Sequence, residues 1–111
     1  MSEQLLAEFH SAMLGIYHAA LKLKPPYRAS QFHQMVQNLG GKETADQLLA
    51  TVKPSSGFTE LYLRGKANLR LSVEYLVLTN PWRTLFDDNQ LAVARKRLKE
   101  VECPPPPEDS E

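Results

Sequence analysis

The chain has 111 residues, 42% of them hydrophobic and 23% charged, with 13 basic side chains against 13 acidic ones for zero formal net charge. That length makes one domain, able to bury a core without staples, and the composition excludes a disordered chain. The charge balance excludes a global field that would draw the molecule to nucleic acid or an anionic membrane, and it does little to oppose a homodimer.

The opening Met1-Ser2-Glu3-Gln4 has no basic run, and Glu8, His10 and His18 interrupt the first apolar segment. Neither a signal peptide nor a spanning helix is expected, so no membrane partner is expected either, and the compartment expected is the cytoplasm. The single cysteine, Cys103, excludes an intrachain disulfide and suits a reducing compartment.

From Glu3 to Leu23, Leu5, Leu6, Phe9, Met13, Ile16, Tyr17 and Ala20 recur at steps of three and four. This spacing predicts an amphipathic helix with Ser2 as its N-cap, ended by Lys24 because Pro25-Pro26 follows. Ser30 offers a cap for a second helix carrying Phe32, Met35, Val36 and Leu39, which Gly40-Gly41 should end. A third, roughly Lys42 to Val52, should bury Ala45, Leu48, Leu49 and Val52. Pro54-Ser55-Ser56-Gly57 reads as a loop.

Phe58 to Arg64 reads as a short fourth helix with Gly65 as its stop. Leu69 to Leu78 is ambiguous: its first half alternates and it carries valines, as strands do. A helix from Ser72 is the better reading, because Ser72 can cap it and no second strand-like run exists to pair with. Asp87 or Asp88 should cap the last helix, with Leu91, Val93, Ala94 and Leu98 inward and Arg95, Lys96, Arg97 and Lys99 in its last turns. Four prolines, Pro104 to Pro107, and an acidic end follow. The expected architecture is therefore all-α: a single-domain bundle of five to six helices over residues 1–102, with a disordered proline-rich tail over 103–111.

No catalytic, cofactor or metal signature stands out. His10 and His18, eight apart on one helix, lie roughly 12 Å apart along its axis and cannot share a metal. His33 has no Cys, Asp or Glu at ligand spacing. Cys103, ahead of a proline run, has no neighbouring base to activate it. Glu74 sits in an apolar stretch, where a carboxylate needs a partner. It is either an acid or base in a pocket, or a first-turn residue paired with Arg64, Arg70 or an arginine of the last helix.

Three functional readings follow, in order. Trp82, Arg83, Leu85 and Phe86 after Pro81 have the composition of an interface hot spot, and make the chain a non-enzymatic accessory protein that binds a protein partner. The alternative for Trp82 and Phe86 is closure of the core between the last two helices. The basic Arg95, Lys96, Arg97 and Lys99 suggest nucleic-acid binding, although successive helical residues fan out by about 100°. A small hydrolase or nuclease would need His10, His33 and Glu74 around one pocket.

The order of residues carries a resemblance. His10-x-x-Met13-Leu14 and Tyr17 are followed by Tyr27, Phe32, Met35 and Val36, then Gly40-Gly41 with Ala45 and Leu48-Leu49. Ser56-Gly57-Phe58-Thr59 follows with Leu61 and Gly65, then Leu71-Ser72-Val73-Glu74, Leu85-Phe86, Ala94-Arg95 and Leu98. This pattern resembles a group of small bacterial helical proteins of about this length with no assigned activity. Gly41-Lys42 and Leu63-Arg64 depart from it, and the proline-rich end lies beyond it. The resemblance implies one compact bacterial domain and no particular function.

Overall fold

A computed structural model describes residues 3–106. The first helix, α1, covers Glu3–Leu21 and stops three residues short of the prolines, where Tyr27 N–H donates back to Ala20 O at 3.0 Å. Phe9, Met13 and Ala20 form its buried stripe. The proposed cap Ser2 lies outside the described residues.

The second helix, α2, is Ser30–Leu39 and the third, α3, is Gly41–Leu49, so a single residue separates them. Gly40 makes that reversal at φ +87°, a backbone conformation that L side chains rarely adopt. Ser30 is the first helical residue rather than the cap, and Ala29 before it offers no side-chain cap. α3 begins one residue earlier and ends sooner than its pattern suggests, leaving Val52 98% exposed instead of buried. The cause is local. Thr51 Oγ1 lies 2.9 Å from Leu48 O and 2.6 Å from Lys53 O and shares its one proton with these carbonyls, and Pro54 disfavours helix in the residue before it.

Ser55 caps α4 (Ser56–Leu63) by accepting from Phe58 N–H at 3.3 Å. A 3-10 segment, Lys66–Leu71, leads into α5, Val73–Val77, which Ser72 caps from Tyr75 N–H at 3.1 Å. The ambiguous stretch is thus helical from Ser72 onward, as its cap requires. A second 3-10 segment, Trp82–Leu85, precedes α6, Asp88–Glu100. Here Asp87 and Gln90 form a reciprocal capping box, at 2.8 and 3.0 Å.

The end of α6 corrects the expected start of the tail. Glu102 adopts φ +59°, Glu102 N–H donates to Lys99 O at 3.0 Å, and Cys103 N–H donates to Leu98 O at 2.9 Å. These two bonds form a Schellman motif. They fold the chain back so that Cys103, expected in the tail, is buried beside Leu98 in the core. Residues 107–111 lie outside the described residues.

The described chain is all-α, with six α-helices and the two 3-10 segments. One hydrophobic cluster runs through it, from Phe9 and Met13 on α1 through Val36, Leu69 and Val77 to Leu98 on α6. α3 packs against both α1 and α2, and α5 packs against α6. Among the described residues, no helix is long and apolar enough to cross a membrane.

Candidate functional site: an apolar cleft between α1–α2 and α4–α5

The connector from α1 to α2 carries Pro25, Pro26, Tyr27 and Arg28 alongside α4, with Pro25 and Pro26 at its end and the Tyr27 hydroxyl near Gly57 at its start. Two contacts hold it there. Arg64 at the end of α4 donates from Nε to Pro25 O at 2.8 Å and from Nη2 to Pro26 O at 3.3 Å. Its guanidinium also lies 5.1 Å from the Tyr27 ring centroid, within cation–π range. Glu60, one turn earlier on α4, pairs with Arg64 and fixes its head.

Between this connector and α4–α5 lies a cleft of about 420 Å³. Its walls are apolar, with Ile16 and Ala20 from α1, Phe32 and Met35 from α2, and Phe58 and Leu61 from α4 among them. The polar groups lining it come mostly from the starts of helices. Ser30 and Gln31 open α2, while Ser55 and Ser56 open α4. The N–H groups of Gln31 and Phe32 have no hydrogen-bond partner among the described residues, as befits an uncapped first turn.

Tyr27 spans the cleft mouth: a Cβ on Gly57 would stand 3.7 Å from its hydroxyl, which hydrogen-bonds Ser56. The Tyr27 hydroxyl is held above its ordinary pKa of 10.0, first by burial and then by the Glu60 carboxylate. Arg64 and the Ser56 hydrogen bond oppose that shift. Arg28 also lines the cleft, exposed, and its guanidinium has no ion-pair or hydrogen-bond partner among the described residues.

Glu74 is the carboxylate among the lining residues, and it is already engaged. It is 2% exposed, and its Oε2 accepts from Arg97 Nη1 at 2.8 Å. Arg97 also donates to Leu48 O at 3.0 Å, to Thr51 O at 2.7 Å and to Thr51 Oγ1 at 3.1 Å. One guanidinium thus neutralises Glu74 and satisfies carbonyls at the end of α3, where a cation is also favoured by the helix dipole.

The structure does not bring the three hydrolase candidates together. Glu74 lines the cleft, and neither histidine does. His10 Nδ1 accepts the N–H of Gly41 at 3.0 Å, so it caps the start of α3 from another helix. His33 stacks on Tyr17 with ring centroids 4.1 Å apart and 15° between the planes. No group of three or more His, Cys, Asp or Glu able to hold a metal occurs among the described residues.

The residues expected to meet a partner are spent largely on the core. Leu85 and Phe86 are buried, Phe86 meets Phe9 edge-on at 5.4 Å, and Trp82 lies half-buried 5.8 Å from the same ring. Arg83 is half-buried and makes a contact of its own. Lys42 sits 4.9 Å over the Phe86 ring, which closes the outer side. Of the basic set, Lys96 and Lys99 are exposed, Arg95 is half-buried and engaged, and Arg97 is 4% exposed inside its pair with Glu74. Burial of Arg97 takes one of the two arginines of that set away from solvent.

No motif pointed to the cleft. The nearest signal is the repeated placement of serine and an apolar residue at helix starts, Ser30-Gln31-Phe32, Ser56-Gly57-Phe58 and Ser72-Val73. Compared with family models, curated proteins and solved structures, the chain matches none.

Proposed function

We propose that this chain is a non-enzymatic accessory protein that works by binding, and that the cleft between α1–α2 and α4–α5 is where it takes up an apolar group. The carrying observation is the cleft's chemistry. It has the volume of a small-molecule site, roughly 300–1,000 Å³, apolar walls and a few polar groups at its rim. Its carboxylate is neutralised by Arg97, and neither an imidazole nor a thiol is among its lining residues. Such a cavity is equipped to hold an apolar group and poorly equipped to move a proton or attack a bond.

Two further features support binding as the task. The Arg64 contacts to Pro25 and Pro26 tie the connector that carries Tyr27 and Arg28 to the end of α4, which reduces the ordering a ligand must impose on that side. Burial of Leu85 and Phe86 also shifts the balance away from the Trp82 segment as a docking surface and toward the cleft.

An amide NMR titration of the full chain with toluene tests this. Resonances of Phe58, Leu61 and Val73 should move and saturate. In Met35→Trp, where a half-buried wall residue is enlarged to fill the space, they should stay in place while the melting temperature is kept. No movement in the parent chain, or equal movement in the filled variant, rejects the cleft as the working surface.

A further inference from the structure

We infer that the natural occupant of the cleft is a small amphipathic monocarboxylate, an acyl or aryl-alkyl acid with its apolar end against Phe58 and Leu61 and its carboxylate at Arg28. The inference rests on the reading that the cleft binds an apolar group, and it adds the charge of that group.

A ligand in the cleft would meet few charges. Two residues lining the cleft carry formal charge, Arg28 and Glu74. The Glu74 carboxylate is covered and held by Arg97, with side-chain exposures of 3% and 5%, so the pair presents no net charge. Arg64 is likewise cancelled by Glu60 beside Tyr27. What remains is Arg28, exposed at the edge of an apolar cavity, with no partner among the described residues.

A guanidinium in that position favours a planar anion, because its fork of N–H donors matches a carboxylate in a bidentate pair. The adjoining first turn of α2 agrees in sign. Its Gln31 and Phe32 N–H groups lack partners among the described residues, and the positive end of that dipole lies next to Arg28 in the chain. The hydroxyls of Ser30, Ser55 and Tyr27 add hydrogen-bond donors to the cleft lining.

The apolar end follows from the α4 side of the lining. Phe58 and Leu61 are buried at 5% and 4%, so the cavity floor is their edges and those of their neighbours rather than solvated polar groups. A ligand charged throughout would leave that floor wet, and a hydrocarbon would leave Arg28 unpaired. A molecule with one charged end satisfies both.

The test uses three ligands that share one hydrocarbon part: 3-phenylpropanoate, 3-phenylpropanamide and 3-phenylpropylamine. Each is titrated into the full chain and followed by amide NMR at Gln31, Phe58 and Val73. The carboxylate should bind about tenfold more tightly than the amide, with the amine weakest. Arg28→Ala should erase the difference by weakening the carboxylate far more than the amide, and Arg28→Lys should restore part of it. Because Arg28 is exposed, neither variant threatens the fold. Equal binding of acid and amide, a preference that survives in Arg28→Ala, or preference for the amine each overturns the carboxylate while leaving the cleft as a binding site. If none of the three moves these resonances, the cleft itself fails as the site and both readings fall.

Discussion

Arg97 and Glu74 form an ion pair out of solvent, Nη1 to Oε2 at 2.8 Å, and the same guanidinium holds the carbonyls of Leu48 and Thr51. Three elements, α3, α5 and α6, therefore meet on one side chain directly behind the cleft. Removing either partner leaves the other charged and buried. Glu74→Leu should cost about 3–5 kcal/mol. Glu74→Gln should cost less, on the order of 1–2 kcal/mol, because its amide oxygen can still accept. Arg97→Met should cost most, since it also strips donors from two carbonyls. Urea unfolding of the three variants would give this order. A catalytic Glu74 predicts no such order, since a catalytic group can be removed with little loss of stability.

Gly41 should tolerate no side chain. A Cβ there would stand 2.8 Å from His10 Cα and 3.2 Å from Met13 Cγ, and the first of these is backbone that cannot swing away. α1 and α3 touch at that point, with Gly41 N–H bonded to His10 Nδ1. Gly41→Ala should destabilise by about 2 kcal/mol or more through overpacking. His10→Ala should cost about 1 kcal/mol, the usual loss on removing a helix cap. Thermal melts of the two variants check both values, and equal tolerance of alanine at 41 and at the uncrowded Gly15 would contradict the close approach.

Thr44 offers the opposite sign. Its hydroxyl is fully buried and finds no hydrogen-bond partner among the described residues. An unmade hydrogen bond of this kind costs about 1–3 kcal/mol. Thr44→Val keeps the shape and removes the polar atom, so it should stabilise by about 1 kcal/mol. A lower urea midpoint in Thr44→Val would mean that the hydroxyl is satisfied after all.

Much of the fold was legible because its signals are local. Asp87 and Gln90 stand at the spacing of a capping box, Ser72 stands before an apolar run that has no strand to pair with, and both readings hold. Errors arose where the chain turned away from the course its apolar spacing suggested. Val52 has the spacing of a buried residue, but α3 ends before it, and Arg97, far along the chain, takes the carbonyls of Leu48 and Thr51. Cys103 stands before a proline run that suggests a free tail, yet the turn at Glu102 returns it to Leu98. Glu74 could be paired with an arginine of the last helix from sequence, but which one depended on how α5 and α6 cross. The cleft was illegible altogether, because its walls come from segments as distant as Ile16 and Val73, and no local spacing encodes their meeting.

Glu102 marks a place where sequence and conformation disagree. It holds φ +59° at the position after the α6 cap where glycine is strongly preferred. A non-glycine residue in the left-handed region costs on the order of 1 kcal/mol. Glu102→Gly should relieve that strain at some cost in unfolded-chain entropy, for a net gain of about 0.5 kcal/mol. Glu102→Val, β-branched in the same conformation, should lose about 1 kcal/mol or more. Cys103 reports on the same turn: its thiol should label more slowly than a free cysteine and faster in Glu102→Val.

Tyr27 makes the cleft mouth sensitive to alkali. Burial and the Glu60 carboxylate hold its hydroxyl above 10.0, so the folded protein binds that proton more tightly than the unfolded chain does. The contribution is fully present below the unfolded value, about 10, and is lost as pH rises through the higher folded value. Tyr27→Phe has no such proton, so the parent's melting temperature should fall relative to the variant's as pH climbs above 10. Ultraviolet difference titration of the two proteins should show the tyrosine absent from the variant ionising later than a free tyrosine. A carboxylate seated beside Arg28 would add a second negative charge near this hydroxyl and delay its ionisation further. The same titration repeated with saturating 3-phenylpropanoate should therefore shift to higher pH, whereas 3-phenylpropanamide should leave it closer to where it was.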